Sequence, residues 1–163
     1  MTTINIAKDF DALTMTVSAT FDAPVERLWQ LWSEPRQLER WWGPPDYPAT
    51  VVDHDLTPGG AVSYFMTSPE GDRHRGWWKV LAVDAPHGLE FEDGFADDDG
   101  NPNLELPVSA TRVSLAATAD GRTAMTIVST FPSLEAMEET IAMGVEEGLA
   151  GAMGQIDAIL AGS

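Results

Sequence analysis

Residues 133–160 read SLEAMEETIAMGVEEGLAGAMGQIDAIL, and the fold turns on that stretch. Ser133 suits an N-cap, and Glu135 sits favourably in a first turn. At about 100° per residue, Leu134, Met137, Ile141, Val145, Gly148, Leu149, Ala152, Ile156 and Ile159 share one face. Glu139, Glu146, Glu147 and Asp157 take the other. The spacing predicts one long amphipathic helix ending near Leu160. No Lys or Arg follows Arg122, so its outer face is acidic.

A helix with one apolar face needs a surface to cover, and the preceding chain supplies strands. Leu13, Met15, Val17, Ala19 and Phe21 alternate with hydroxyl residues, which predicts a half-buried strand over 13–21. Val25, Leu28, Trp29 and Trp32 are then helically spaced after Pro24, and 36–42 makes a second short helix closed by Gly43-Pro44-Pro45. Strands are predicted over 49–56, 61–68, 73–83, 89–93, 108–118 and 123–131, separated by tight turns except between 93 and 108. Close connections imply antiparallel neighbours. Segregated strands and helices define an α+β architecture. Six or seven curved strands should wrap the last helix, with two short N-terminal helices closing one end. The polar run at 96–103 breaks the pattern and reads as an acidic loop with few tertiary contacts. No linker or repeat divides residues 1–163, so one domain is expected.

Composition narrows the functions. Nine Lys+Arg stand against 26 Asp+Glu, a formal charge of −17. Phosphate backbones and anionic lipid surfaces recruit cations, so neither nucleic acid nor a membrane is an expected partner. There is no cysteine, which removes disulfides, thiolate metal sites and cysteine nucleophiles. No signal sequence or membrane span is read, and a cytoplasmic protein is the expectation.

Four segments carry a family resemblance. FDAPVERLWQLWSEPRQLERWWGPP (21–45) resembles the N-terminal signature of proteins similar to the activator of the heat-shock chaperone ATPase. That family lies in the START-like, or SRPBCC, superfamily, whose helix-grip fold includes the birch-pollen allergen. HDLTPGGAVSYFM, GWWKVLAVDAPHGLEF and GVEEGL resemble its further segments in order, through Asp55, Pro58, Gly59, Gly60, Asp84, Pro86 and Gly144–Leu149. The resemblance covers residues from about 12 to 160. It departs at Leu149, where the family usually has an aromatic, and in the small residues that follow. It implies a helix-grip fold and leaves function open. The eukaryotic activators carry a separate N-terminal domain that the roughly 12 residues before the first predicted strand do not accommodate. The family's name is therefore not carried over as a function. Helix-grip proteins often pair, so a homodimer stays open.

The residues nominate a pocket. Strand parity turns Tyr64, Met66, Trp78, Phe91 and Met125 inward, and one of Trp41 and Trp42 toward a cavity mouth. Ile141, Gly144, Val145, Gly148 and Ala152 form the helical floor. Four glycines in the helix cost roughly 3–4 kcal/mol against alanine, an expense that close packing or ligand space would offset. Aromatic and Met side chains with few polar handles suit a small hydrophobic molecule bound without catalysis. An enzyme of the cyclase or hydrolase-like type, needing two polar groups converging in the cavity, is the first alternative. A chaperone-interacting protein is the second. No residue is nominated as catalytic, and no cofactor motif is present. Asp53-His54-Asp55 invites a metal, but strand alternation splits His54 from the two acids. ADDDGN lacks two key carboxylates of a calcium loop. Calcium should therefore leave the thermal midpoint unchanged; a rise abolished by Asp98→Ala would contradict this.

Overall fold

The computed structural model describes residues 2–162. In chain order its elements are β1 (Asn5–Asp9), β2 (Thr14–Phe21), α1 (Val25–Ser33), α2 (Pro35–Leu38), β3 (Ala49–His54), β4 (Ala61–Thr67), β5 (Arg73–Asp84), β6 (Gly88–Phe95), β7 (Ser109–Ala117), β8 (Thr123–Thr130), α3 (Leu134–Ala142), α4 (Val145–Met153) and α5 (Ile156–Ala161). The eight strands among the described residues form one antiparallel sheet in the order β1-β2-β8-β7-β6-β5-β4-β3. Local hairpins build it from β3 to β8. The long-range step is β8 on β2, in register from Thr14 opposite Thr130 to Phe21 opposite Thr123. The chain must then cross from β2 to the far edge at β3, and α1 and α2 occupy that crossing.

Alternation decides which side chains face in. Met15, Val17, Ala19 and Phe21 of β2 are buried, as are Val113 and Leu115 of β7 and Met125 and Ile127 of β8. Leu28, Leu31 and Trp32 of α1 close onto this face together with Met137, Ala152, Met153, Ile156 and Ile159 of the C-terminal segments. Register shifts at Val51/Asp53 and Val80/Ala82 mark bulges in β3 and β5, and bulges bend a sheet. Among the described residues no helix is long and apolar enough to cross a membrane.

Two expectations need correction. The sheet has an extra strand, β1, whose residues are mostly exposed; only Ile4 and Ile6 near it pack on the core, too weak a pattern to read as a strand. The C-terminal helix is not continuous. Gly144 adopts φ 89°, ψ 22°, ending α3 and serving as the N-cap of α4. A left-handed residue breaks the run of i to i−4 bonds, while the apolar periodicity continues on either side and hides the break. A second interruption at Gly154 keeps right-handed backbone angles. The acidic loop is held by bonds within itself. Asp97 Oδ1 accepts from the backbone N–H of Asp99 (3.0 Å) and of Asn101 (2.9 Å), and Ala96 bridges Pro102. Asp99, Gly100 and Pro102 then border an outward groove of about 480 Å³ beside Ser63, Trp77 and Lys79.

The two glycines of α4's first turn should respond oppositely to alanine. Gly144→Ala forces a side chain into the left-handed region and should cost about 1–2 kcal/mol. Gly148→Ala, where a Cβ meets nothing within 4 Å, should stabilise by up to about 1 kcal/mol. Urea denaturation midpoints read both.

Candidate functional site

Six aromatic rings gather on the inner face. Trp32, from α1, lies 4.9 Å from Trp41 and 5.7 Å from Trp42 between ring centroids, both edge-on, and 5.9 Å from Trp78. Trp78 of β5 stacks on Phe91 of β6 at 4.1 Å and 15°. Trp42 meets Trp78 edge-on at 4.9 Å and Tyr64 at 6.1 Å. Tyr64 owes its position to the strand beside it. It sits opposite Gly76 on β5, and any Cβ there would overlap the phenol ring. The ring therefore lies across β5, toward Asp93 of β6.

The indole N–H groups divide in two. Trp41 Nε1 donates to Leu31 O at 2.9 Å, and Trp32 Nε1 to Met125 Sδ at 3.4 Å. Trp42 Nε1 and Trp78 Nε1 are buried without a well-formed hydrogen bond among the described residues. The group beside both is the Tyr64 hydroxyl oxygen, which accepts from the two indoles at less than ideal geometry and whose phenolate they favour.

An acid completes the cluster. Asp93 lies opposite Trp78 and Ser109 and accepts from Thr111 Oγ1 at 2.8 Å. Burial pushes its carboxyl up to about 6, against the smaller opposing pull of Thr111 and its own backbone N–H. Burial, and then the Asp93 charge, raise the Tyr64 phenol above its usual value, outweighing the two indoles. The site is thus an apolar aromatic shell around a small polar centre that can hold or release one proton near neutral pH.

Of the twelve nominated residues, Trp41, Trp78, Phe91, Met125 and Ala152 are fully buried. Trp42, Tyr64, Met66, Ile141, Gly144, Val145 and Gly148 are half-buried. Trp41 is fully buried and Trp42 half-buried, and both rings pack on Trp32. Gly144 shapes the backbone as the α3–α4 junction. Gly151 takes the close-packing role, with a Cβ there meeting Pro44 at 3.4 Å. Gln155 Nε2 donates to Gly43 O at 2.6 Å, tying the loop after Trp42 to the C-terminal helical run. Sequence reasoning missed Asp93, although it follows Leu89 and Phe91 at the same parity. The Asp53-His54-Asp55 side chains diverge: Asp53 takes Ser63 Oγ, His54 Nε2 meets Trp32 O, and Asp55 takes Thr57 Oγ1.

A curved antiparallel sheet closed by C-terminal helical segments, with this core, defines the helix-grip class of START-like folds. Within it, residues 22–161 match the model of the family described as Activator of Hsp90 ATPase homolog 1-like protein, and the chain belongs to that family. A crystal structure of protein Ms6760 from Mycobacterium smegmatis is 52% identical, with 97% of each chain covered and a TM-score of 0.90. A solution structure from Arthrobacter aurescens is 49% identical over 98% of this chain and 92% of that one, with a TM-score of 0.92. One from Staphylococcus epidermidis is 29% identical over 94% and 91%, at 0.80. No curated protein matches the chain.

The desolvated Asp93 carboxyl has a measurable signature. A carboxyl whose pKa rises from 3.8 to about 6 on folding leaves the folded state holding more protons. Its effect on stability is therefore a loss as pH climbs from about 4 to about 6, with no further change above. Asp93→Asn should flatten that fall and stabilise the protein at pH 7 by on the order of 1–3 kcal/mol, while changing little at pH 3.5. Denaturation midpoints across this range read the difference.

Proposed function

We propose that the chain, as a single domain, binds a small hydrophobic molecule between the sheet and the C-terminal helical segments without transforming it. The observation that carries this reading is the gradient of burial among the nominated residues. Trp41, Trp78, Phe91, Met125 and Ala152 are fully buried. Trp42, Tyr64, Met66, Ile141, Val145 and Gly148 are half-buried, leaving apolar surface for a ligand to cover. Gly148 has open space where a side chain would project, and one turn on Gly151 rests against Pro44 of the loop following Trp42. A concave, mostly apolar lining with few polar groups is the usual make-up of a small-molecule site.

A second reading has one specific observation in its favour. Tyr64 and Asp93 are two ionisable groups close enough to influence each other inside an apolar shell, the pairing an acid–base enzyme on this fold requires. The chaperone-associated reading rests on family membership alone.

The binding reading is tested with N-phenylnaphthylamine, an apolar dye that brightens when enclosed. Wild type should bind it. Gly148→Trp should abolish binding while the denaturation midpoint holds, because the new ring fills space instead of displacing packed atoms. Loss of stability of about 1–3 kcal/mol would mark overpacking. Such a loss, together with a dye that never binds wild type, would reject the pocket.

A further inference from the structure

The outer side of the sheet carries a second concave surface, independent of the binding reading above. Alternation along β5 turns Arg75, Trp77 and Lys79 outward. Trp77 sits opposite Ser63 on β4 and Gly94 on β6. Its ring lies against Gly94, where an added Cβ would come within 2.9 Å of Cζ2 and 3.0 Å of Cε2 and Nε1. Its N–H donates to Phe95 O at 2.9 Å. The indole is thereby seated with its one donor spent, and what it has left to offer is π surface. The half-buried side chain borders a groove of about 480 Å³, inside the roughly 300–1,000 Å³ usual for small-molecule sites.

The rest of the lining is polar and of both signs. Asp53 and Ser63 stand on the β3–β4 side, and Asp99 and Pro102 on the side of the loop after β6. Arg75 and Lys79 flank Trp77 along β5. The loop wall is held by the Asp97 carboxylate and by the Ala96–Pro102 bridge. None of Asp53, Asp99, Arg75 and Lys79 joins the ion pairs found among the described residues.

These groups select by elimination. An anion would meet Asp53 and Asp99 in a chain of net charge −17. A cation would meet Arg75 and Lys79. A wholly apolar molecule would take water from four charges and return no hydrogen bond. A neutral molecule with an apolar face and a rim of hydroxyls fits. The face stacks on the indole, whose negative π surface attracts C–H bonds. The hydroxyls donate to the carboxylates and accept from Arg and Lys. A six-membered sugar ring with equatorial hydroxyls has that build.

We propose that the Trp77 groove binds a neutral pyranose, its C–H face stacked on the indole and its hydroxyls held by Asp53, Asp99, Arg75 and Lys79.

Methyl β-glucopyranoside is the probe. Magnetisation transferred from protein to sugar should favour the protons of one ring face, H1, H3 and H5 or else H2 and H4, over those of the other. In a nitrogen–proton titration, the indole cross-peak that is missing in Trp77→Phe should move with added sugar. Trp77→Leu should remove the facial preference and weaken binding by about tenfold. Asp99→Ala, on an exposed loop, should weaken binding by about fivefold at an unchanged denaturation midpoint, and it carries the test if Trp77→Leu fails to fold. Phenylalanine, a zwitterion with an apolar ring, and naphthalenesulfonate, an aromatic anion, should receive less transfer than the sugar. No transfer to the sugar, equal saturation of its two faces, affinity unchanged in Asp99→Ala, or tighter binding of phenylalanine or naphthalenesulfonate would each overturn the proposal.

Discussion

The Trp32 side chain is where the layers of this protein meet. Its ring is fully buried and touches Trp41 and Trp42 from the loop after α2, then Trp78 and Phe91 from the middle of the sheet. Its N–H reaches Met125 on β8, and its backbone carbonyl meets His54 Nε2 on β3. One residue thus ties the β2–β3 crossing to strands distributed across the sheet. Aromatic pairs of this kind add about 0.5–1.5 kcal/mol each beyond the area they bury. Losing the Trp32 ring would remove several at once and open a void in the centre of the core.

Against that apolar background the Tyr64–Asp93 centre runs counter to stability. Desolvation opposes ionisation of both groups. The only group facing the Trp42 and Trp78 indole donors is the Tyr64 hydroxyl, at less than ideal geometry. Natural folds concentrate such violations at working sites, where they are tolerated because they do something. Gly76 makes the arrangement sterically feasible by letting the phenol lie flat across β5. A mirror arrangement occurs on the outer face, where Trp77 lies over Gly94 and donates to Phe95 O at 2.9 Å. The same device is used once on each face of the sheet.

The surface charge acts on a different scale. The four ion pairs among the described residues, from Lys8–Glu146 to Arg122–Asp120, are all at least partly solvent-exposed. Exposed pairs contribute about 0–1 kcal/mol. Asp120 is held below the usual carboxylate range by Thr118, then by Arg122, within its own turn. Arg73 and Arg75 stack over Phe65 on the outer sheet face. An excess of 17 negative charges governs solubility and partner choice; apolar burial holds the fold together.

Local rules made most of the architecture legible without coordinates. The alternation at Met15–Phe21 and the tight turns of the β3–β8 meander follow from period-two burial, and the inward side of Trp78 follows from parity. The strand β1 was hidden because an edge strand with little buried surface leaves hardly any hydrophobic pattern. The break at Gly144 was hidden because backbone handedness does not alter the spacing of apolar residues. The pairing of β8 with β2, separated by more than a hundred residues, comes from the requirement to close one core. The site divides the same way. Sequence alone nominated the rings and the helical face, since hydrophobic type and periodicity are local properties. Only the tertiary structure brought Asp93 within electrostatic reach of Tyr64 and set two indole N–H groups against its hydroxyl. Desolvation and hydrogen-bond pairing are properties of what packs around a group, and the packing neighbours arrive from distant parts of the chain.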